Sequence, residues 1–65
     1  MTHDEFIYTC QTMMQYGGSF ATRIAQAALV ADKDNKDRLI AAFPEIFEKY
    51  GPTSSFYTAY IANNP

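Results

Sequence analysis

A chain of 65 residues makes one small domain, residues 1–65, and 48% of those residues are hydrophobic, including five Phe and five Tyr. A formal charge of −2 with only five Lys and Arg excludes the basic stripe that phosphate contacts require, so we expect no nucleic-acid binding. One Cys and one His exclude an internal disulfide and a closed zinc site.

The sequence also bears on membranes and on assembly. It has no apolar run near the roughly 18 residues of a membrane span and no basic-then-apolar leader, so we expect a cytoplasmic protein without membrane contact. A domain of this size buries only about 60% of the surface of its unfolded chain. With so many aromatic residues, we therefore expect a homo-oligomer or a partner protein to cover the remaining apolar surface.

The first predicted helix runs from about His3 to Gln15. Thr2 and Glu5 have the spacing of a capping box, in which each side chain bonds the backbone N–H of the other residue. Apolar residues at helical spacing form the predicted inner face: Phe6, Cys10, Met13 and Met14. Gly17-Gly18 is predicted to end the helix by adopting a left-handed conformation without a side-chain penalty.

Ser19 is predicted to cap a second helix, roughly Phe20 to Ala31. Its polar residues occupy one narrow strip, and alanines fill much of the remaining surface. A helix that is apolar around most of its circumference is typically buried against several neighbours. We therefore expect this helix at the centre of the bundle.

Asp32–Asp37 is predicted to be a charged connection, and a third helix follows to about Ala42. Asp34 and Arg38 have the spacing of an i,i+4 ion pair. Pro44 would clash with a carbonyl of the preceding turn in a continuous helix, so a sharp bend is expected before it.

A fourth short helix is predicted between Pro44 and Gly51, since proline favours the first helical position and glycine the residue past the end. One face carries residues at i, i+3, i+4 and i+7: Phe43, Ile46, Phe47 and Tyr50. Glu45 and Lys49 are a predicted i,i+4 pair on the wet side.

Residues 55–62 are open to two interpretations. Thr53-Ser54-Ser55 favours the start of a last helix through Ile61, whereas the aromatic residues that follow are strand formers. The predicted interface consists of four residues of this segment: Phe56, Tyr57, Tyr60 and Ile61. Exposed, they would form an unusually large apolar patch, and Tyr and Phe are favoured at interface centres. Folding back onto the same core is an alternative of equal weight.

No constellation for catalysis or metal binding is recognisable. A calcium loop starting at Asp32 would need glycine in place of Asp37 and glutamate in place of Phe43. Gly17-Gly18-Ser19 lacks the spacing and lysine of a phosphate-binding loop. Cys10 has no basic neighbour on its helix face, so we interpret it as a small buried hydrophobe. We expect no catalytic, cofactor-binding or metal-binding residue, and no enzyme.

Two motifs carry a resemblance to a known group of proteins. These are Tyr16-Gly17-Gly18-Ser19-Phe20 and Ala42-Phe43-Pro44-Glu45-Ile46-Phe47-Glu48-Lys49-Tyr50-Gly51, separated by the alanine-rich helix. Their order resembles small, functionally uncharacterised helical proteins encoded by bacteriophages, prophages and bacterial mobile elements. The resemblance covers about residues 16–52 and rests on turn and packing residues, so it transfers no catalytic residue. It implies a small phage-encoded accessory protein located in the cytoplasm of a bacterial host.

The predicted fold is all-α, a compact bundle of four or five short helices that forms homo-oligomers. The first functional hypothesis is a non-enzymatic interaction protein, an inhibitor or modulator of a host protein such as a defence protein. The second is a self-assembling structural or accessory subunit whose aromatic surface forms its own oligomer interface. A helix-turn-helix DNA binder is a third reading, which the charge balance disfavours.

Overall fold

In the computed structural model, which describes residues 1–64, the chain forms five α-helices and, within those residues, no β-strand. In chain order the helices are α1 (His3–Tyr16), α2 (Ser19–Val30), α3 (Lys33–Ala42), α4 (Pro44–Lys49) and α5 (Ser55–Asn63). The predicted all-α fold is confirmed with five helices, and the segment left open between helix and strand is helical. Pro65, the last residue of the predicted domain, lies outside the described residues.

Helix α1 begins with the predicted capping box. Thr2 Oγ1 accepts a hydrogen bond from the backbone N–H of Glu5 at 3.1 Å, and Glu5 Oε1 accepts one from the N–H of Thr2 at 2.8 Å. Two otherwise unpaired backbone donors at the helix start are thereby satisfied. The acidic residues of this first turn, Asp4 and Glu5, also suit the positive end of the helix dipole.

The tight turn between α1 and α2 requires the absence of a side chain at Gly17 and not a left-handed backbone. No glycine among the described residues has a positive φ, so that part of the prediction is wrong. A Cβ atom on Gly17 would lie 2.5 Å from the carbonyl oxygen of Met13 and 2.6 Å from Cβ of Ala21. The absence of a side chain at Gly17 therefore lets α2 start directly against the end of α1.

Helix α1 is the centre of the bundle, packed against both α2 and α5. The hydrophobic core takes residues from α1, α2, α4 and the residue after α4: Phe6, Cys10, Met13, Ala21, Ala25, Ala28, Phe47 and Tyr50. Two buried hydroxyls are satisfied locally, since Thr9 and Thr12 each donate to the backbone carbonyl four residues earlier at 2.7 Å. The prediction that α2 is central is wrong, because only one of its faces meets the core.

The starts of α2 and α3 differ from the predictions. Ser19 is the first residue of α2, Gly18 precedes it as the cap, and no side chain caps the helix. Helix α3 begins at Lys33, so most of the predicted charged connection is helical. Its cap is Asp32, whose Oδ1 accepts a hydrogen bond from the N–H of Asn35 at 2.9 Å. Aspartate is a strong N-cap, which allows a charged segment to start a helix.

The predicted ion pairs are also corrected. Among residues 1–64, the only ion pair within 4.0 Å joins Lys33 Nζ to Asp37 Oδ2, at 2.9 Å. The predicted pairing of Asp34 with Arg38 and that of Glu45 with Lys49 are therefore both absent. The observed pair links successive turns of α3 at its exposed surface, where water screens the attraction and the contribution to stability is small.

The predicted bend before Pro44 is confirmed. Phe43 has φ −129° and ψ 55°, outside helical geometry, and it alone separates α3 from α4. The bend turns the predicted apolar face inward, so that Phe47 and Tyr50 are buried while Phe43 and Ile46 are half-buried.

The molecule has the dimensions of an ordinary compact monomer. Its accessible surface is 4111 Å², close to the roughly 4,200 Å² expected for a monomer of 7.3 kDa. Its radius of gyration of 10.7 Å matches the value of about 11 Å expected for its length. Homo-oligomer formation stays a prediction.

None of the described helices is both long enough and apolar enough to cross a bilayer.

Candidate interaction surface

The four predicted interface residues lie on α5, which folds back onto α1. All four are half-buried: Phe56, Tyr57, Tyr60 and Ile61. The ring of Phe56 lies 5.5 Å from that of Tyr16 and 5.2 Å from that of Tyr50, between centroids. Folding back is therefore the observed arrangement, and contact with another protein through the remaining exposed parts stays a prediction.

Two tyrosines hold α5 against α1 by specific contacts. The hydroxyl of Tyr60 donates to Oε1 of Gln11 at 2.8 Å. The ring of Tyr57 meets that of Tyr8 edge to face, with centroids 6.5 Å apart and planes at 79°. Partial burial, the negative charge of Glu5 and the nearby Tyr8 and Asp4 raise the pKa of Tyr57 above its ordinary value. This surface is therefore neutral at its centre and acidic at its edge.

An open concavity of about 560 Å³ lies between α2 and α3. Its lining defines the α2–α3 groove: Ala27, Val30, Ala31, Asn35, Arg38, Leu39 and Ala42. Five of these seven residues are apolar, and three of the five are alanines. The groove follows from the short connection between the two helices, which places α3 beside α2, and from the small side chains that face it.

Exposed apolar side chains flank this groove. Val30 is 86% exposed and lines it, and Phe20, 58% exposed, is on the same helix. The ring of Phe20 packs edge to face on Phe43, with centroids 5.4 Å apart, and so spans from α2 to the end of α3. The exposure of both residues was not predicted, because α2 was expected to be buried against several neighbours.

The charge of the groove comes from one residue. Arg38 is its only charged lining residue, and no carboxylate within residues 1–64 lies within 4.0 Å of its guanidinium. Arg38 Nη1 instead donates to Oδ1 of Asn35 at 3.3 Å, a contact between exposed side chains. The groove is therefore apolar with a cationic rim, although the whole chain is acidic.

A smaller hollow of about 290 Å³ lies at the start of α1. Its lining is mixed: Met1, Thr2, His3, Phe6, Lys36, Asp37 and Ile40. Lys36 Nζ lies 4.8 Å from the centre of the Phe6 ring, which gives the ammonium a cation–π contact. The capping box already uses two backbone donors of this helix start, so the hollow offers few free groups to an anion.

The single cysteine of the chain, Cys10, lies inside the core. Cys10 is fully buried, and burial raises the pKa of its thiol to about 11, partly opposed by the charge of Lys36. The thiol therefore stays protonated at neutral pH, and the nucleophilic thiolate is scarce. Among residues 1–64, no group of three or more His, Cys, Asp or Glu side chains lies close enough together to hold a metal ion.

Comparisons with family models, with curated proteins and with solved structures give no match to this chain. The resemblance of residues 16–52 to phage-encoded helical proteins stays a prediction. The functional argument therefore depends on the surfaces described above.

Proposed function

We propose that this chain is a non-enzymatic, phage-type accessory protein that acts by binding another protein, and that the α2–α3 groove is the binding surface. The observation that carries the proposal is the exposure of Val30, 86%, at the rim of an open apolar groove. An apolar side chain left in water forgoes about 25 cal/mol per Å² of stabilisation, which a partner restores by covering it.

The sharper form of the proposal is an inhibitor or modulator of a host protein, including a defence protein, that acts by occlusion. It is supported by the resemblance to phage-encoded proteins and by the size of the molecule, whose radius of gyration is 10.7 Å. A standard interface covers about 800 Å² on each partner, which is about a fifth of the 4111 Å² surface of this chain. A body this small blocks a partner by covering a site on it.

Photo-crosslinking in bacterial cells tests this function directly. A photoreactive amino acid replaces Val30 at the groove or, as a control, Thr58, which is exposed on α5. We expect a defined host protein to be captured from position 30 and not from position 58. The purified partner should then bind the wild-type chain and lose binding to Val30→Asp. Capture of no protein at position 30, or unchanged binding by Val30→Asp, would contradict the proposal.

A second candidate function is self-assembly as an accessory subunit. It is supported by the partial exposure of the tyrosine surface between α1 and α5, where Tyr8 is 38% exposed. Light scattering over a dilution series to sub-micromolar concentration separates the two functions. A persistent multiple of 7.3 kDa supports self-assembly, and a mass of 7.3 kDa throughout excludes it.

A further inference from the structure

We propose that the occupant of the α2–α3 groove is an amphipathic helix of a different protein, with bulky apolar side chains on one face and carboxylates beside that face. This inference rests on the proposed function and specifies the chemistry of the partner.

The shape of the groove favours a helix. The lining runs along α3 from Asn35 to Ala42, about 10 Å at 1.5 Å per residue, so the groove accommodates about two turns of a third helix. The walls carry Ala27 on α2, Ala31 just after its end and Ala42 on α3. Alanines permit a close approach and leave space for large side chains of an incoming helix, which is the usual arrangement of a helix in a groove.

The charge of the groove favours an acidic helix. Arg38 projects from the same wall as Leu39 and pairs with no carboxylate within 4.0 Å among the described residues. A partner carboxylate at this rim would form a charge-assisted hydrogen bond with Arg38. Arg38 would not have to leave another carboxylate in order to form it. A basic helix would instead bring like charges together, and like charges at an interface suppress the wrong partner.

The large exposed side chains of a second copy of this chain do not form the row that a groove takes. Binding in a groove uses bulky apolar residues at i, i+3 or i+4, and i+7 on one helix. The large exposed hydrophobic residues among the described ones are Met1, Tyr8, Phe20 and Val30. Only Phe20 and Val30 share a helix, and they are ten positions apart, so they do not align on one face. This spacing favours a different protein as the occupant.

Two synthetic peptides of about 16 residues, long enough for several helical turns, test the inference. Both carry leucines at i, i+4, i+7 and i+11, and they differ only in their flanking residues, which are glutamates in one and lysines in the other. Affinities are measured by fluorescence anisotropy at low ionic strength, and amide chemical shifts of the labelled protein locate the binding surface. We expect the glutamate peptide to bind about tenfold more tightly and to shift resonances of α2 and α3.

Three variants complete the test. Arg38→Glu should reverse the preference between the peptides, and Ala27→Gln should weaken both by filling the groove. Arg23→Glu is the matched control, since it reverses an exposed charge on α2 outside the groove lining and should keep the glutamate preference. All three positions are exposed, so the variants are expected to fold.

Equal affinity for the two peptides, a lysine preference in the wild type, or shifts confined to α5 would overturn the inference. A dimer that is lost in Val30→Asp would also overturn it, by showing that a second copy fills the groove. If a partner crosslinked at position 30 is displaced by neither peptide, the proposed function stands and only the partner chemistry fails. If nothing is captured at that position, the proposed function fails as well.

Discussion

Tyr60 of α5 donates a hydrogen bond to Oε1 of Gln11 in α1 at 2.8 Å, and the two residues are 49 positions apart in the sequence. The bond joins the last helix to the central one and orients a ring that would otherwise extend into solvent. It also satisfies the hydroxyl of a half-buried tyrosine, which would cost free energy if left unpaired.

Tyr60→Phe should lower the free energy of unfolding by about 1 kcal/mol, because the variant keeps the ring and loses the hydrogen bond. Denaturant titration followed by circular dichroism measures the change. In a double-mutant cycle with Gln11→Ala, the two effects should be less than additive. Full additivity would show that the bond contributes nothing in solution.

Gly17→Ala should destabilise the protein by about 1 to 3 kcal/mol, since the added Cβ would meet the Met13 carbonyl at 2.5 Å. Gly18→Ala is the matched control, because no atom lies within 4 Å of its added Cβ and its φ is negative. That variant should change stability by no more than about 1 kcal/mol in either direction, because alanine restricts the unfolded chain but is a poorer N-cap than glycine. Thermal unfolding of both variants compares them, and equal effects would show that crowding at the corner is unimportant.

Asp32→Ala should cost about 1 kcal/mol, since Asp32 caps α3 through the N–H of Asn35. Ser19→Ala should change stability by less than about 0.5 kcal/mol, because no side chain caps α2 and alanine favours helix. Chemical denaturation measures the free energy of unfolding of the two variants and so ranks them. The opposite ranking would mean that the caps are assigned to the wrong residues.

Phe47→Ala should cost about 3 to 5 kcal/mol and leave so small a domain largely unfolded, because Phe47 is only 3% exposed in the core. Phe20→Ala removes the same side chain at a site that is 58% exposed. It should cost no more than about 1.5 kcal/mol, mainly from the edge-to-face contact with Phe43. One-dimensional proton NMR at 25 °C distinguishes a folded from an unfolded variant. An unfolded Phe20→Ala variant would contradict the placement of Phe20 at the surface of the protein.

The buried thiol of Cys10 should make the protein less stable at alkaline pH. Its pKa rises from 9.0 to about 11 on folding, so the unfolded chain releases the proton first and stability falls between these pH values. Below pH 9 the contribution of the protonated thiol to the free energy of unfolding is fully present. As the pH rises from 9 to 11, that free energy falls by a total on the order of 2 kcal/mol. Tyrosine and lysine titrate in the same range, so Cys10→Ala is the reference. That variant should decline less steeply in denaturant titrations from pH 8 to 11, and parallel curves would contradict this account.

Features specified by neighbouring residues were predictable from the sequence. The capping box of α1 depends on Thr2 and Glu5 alone, and the bend between α3 and α4 depends on Pro44. The start of α3 was not recognised because a charged run is also typical of a loop. Here Asp32 provides a cap and Lys33 pairs with Asp37, so the same charges stabilise a helix.

Features that depend on packing between distant segments were not predictable. The alanine-rich sequence of α2 does not distinguish the face that meets the core, at Ala21 and Ala25, from the face that lines the open groove, at Ala27. Likewise, the sequence did not decide whether the aromatic residues of α5 form an exposed interface or fold back onto the core. The pairing of Tyr60 with Gln11 shows that α5 belongs to the bundle, and this pairing has no local signal.

The docking of α5 on α1 also determines the order in which the structure can be completed during protein synthesis. The other main packings join helices that are neighbours in the sequence, and such local contacts form quickly. Helix α5 is synthesised after them, so the face of α1 that carries Tyr8, Gln11 and Tyr16 stays open until its partner emerges. A nascent chain ending before α5 therefore presents a tyrosine-rich surface of the kind that chaperones cover.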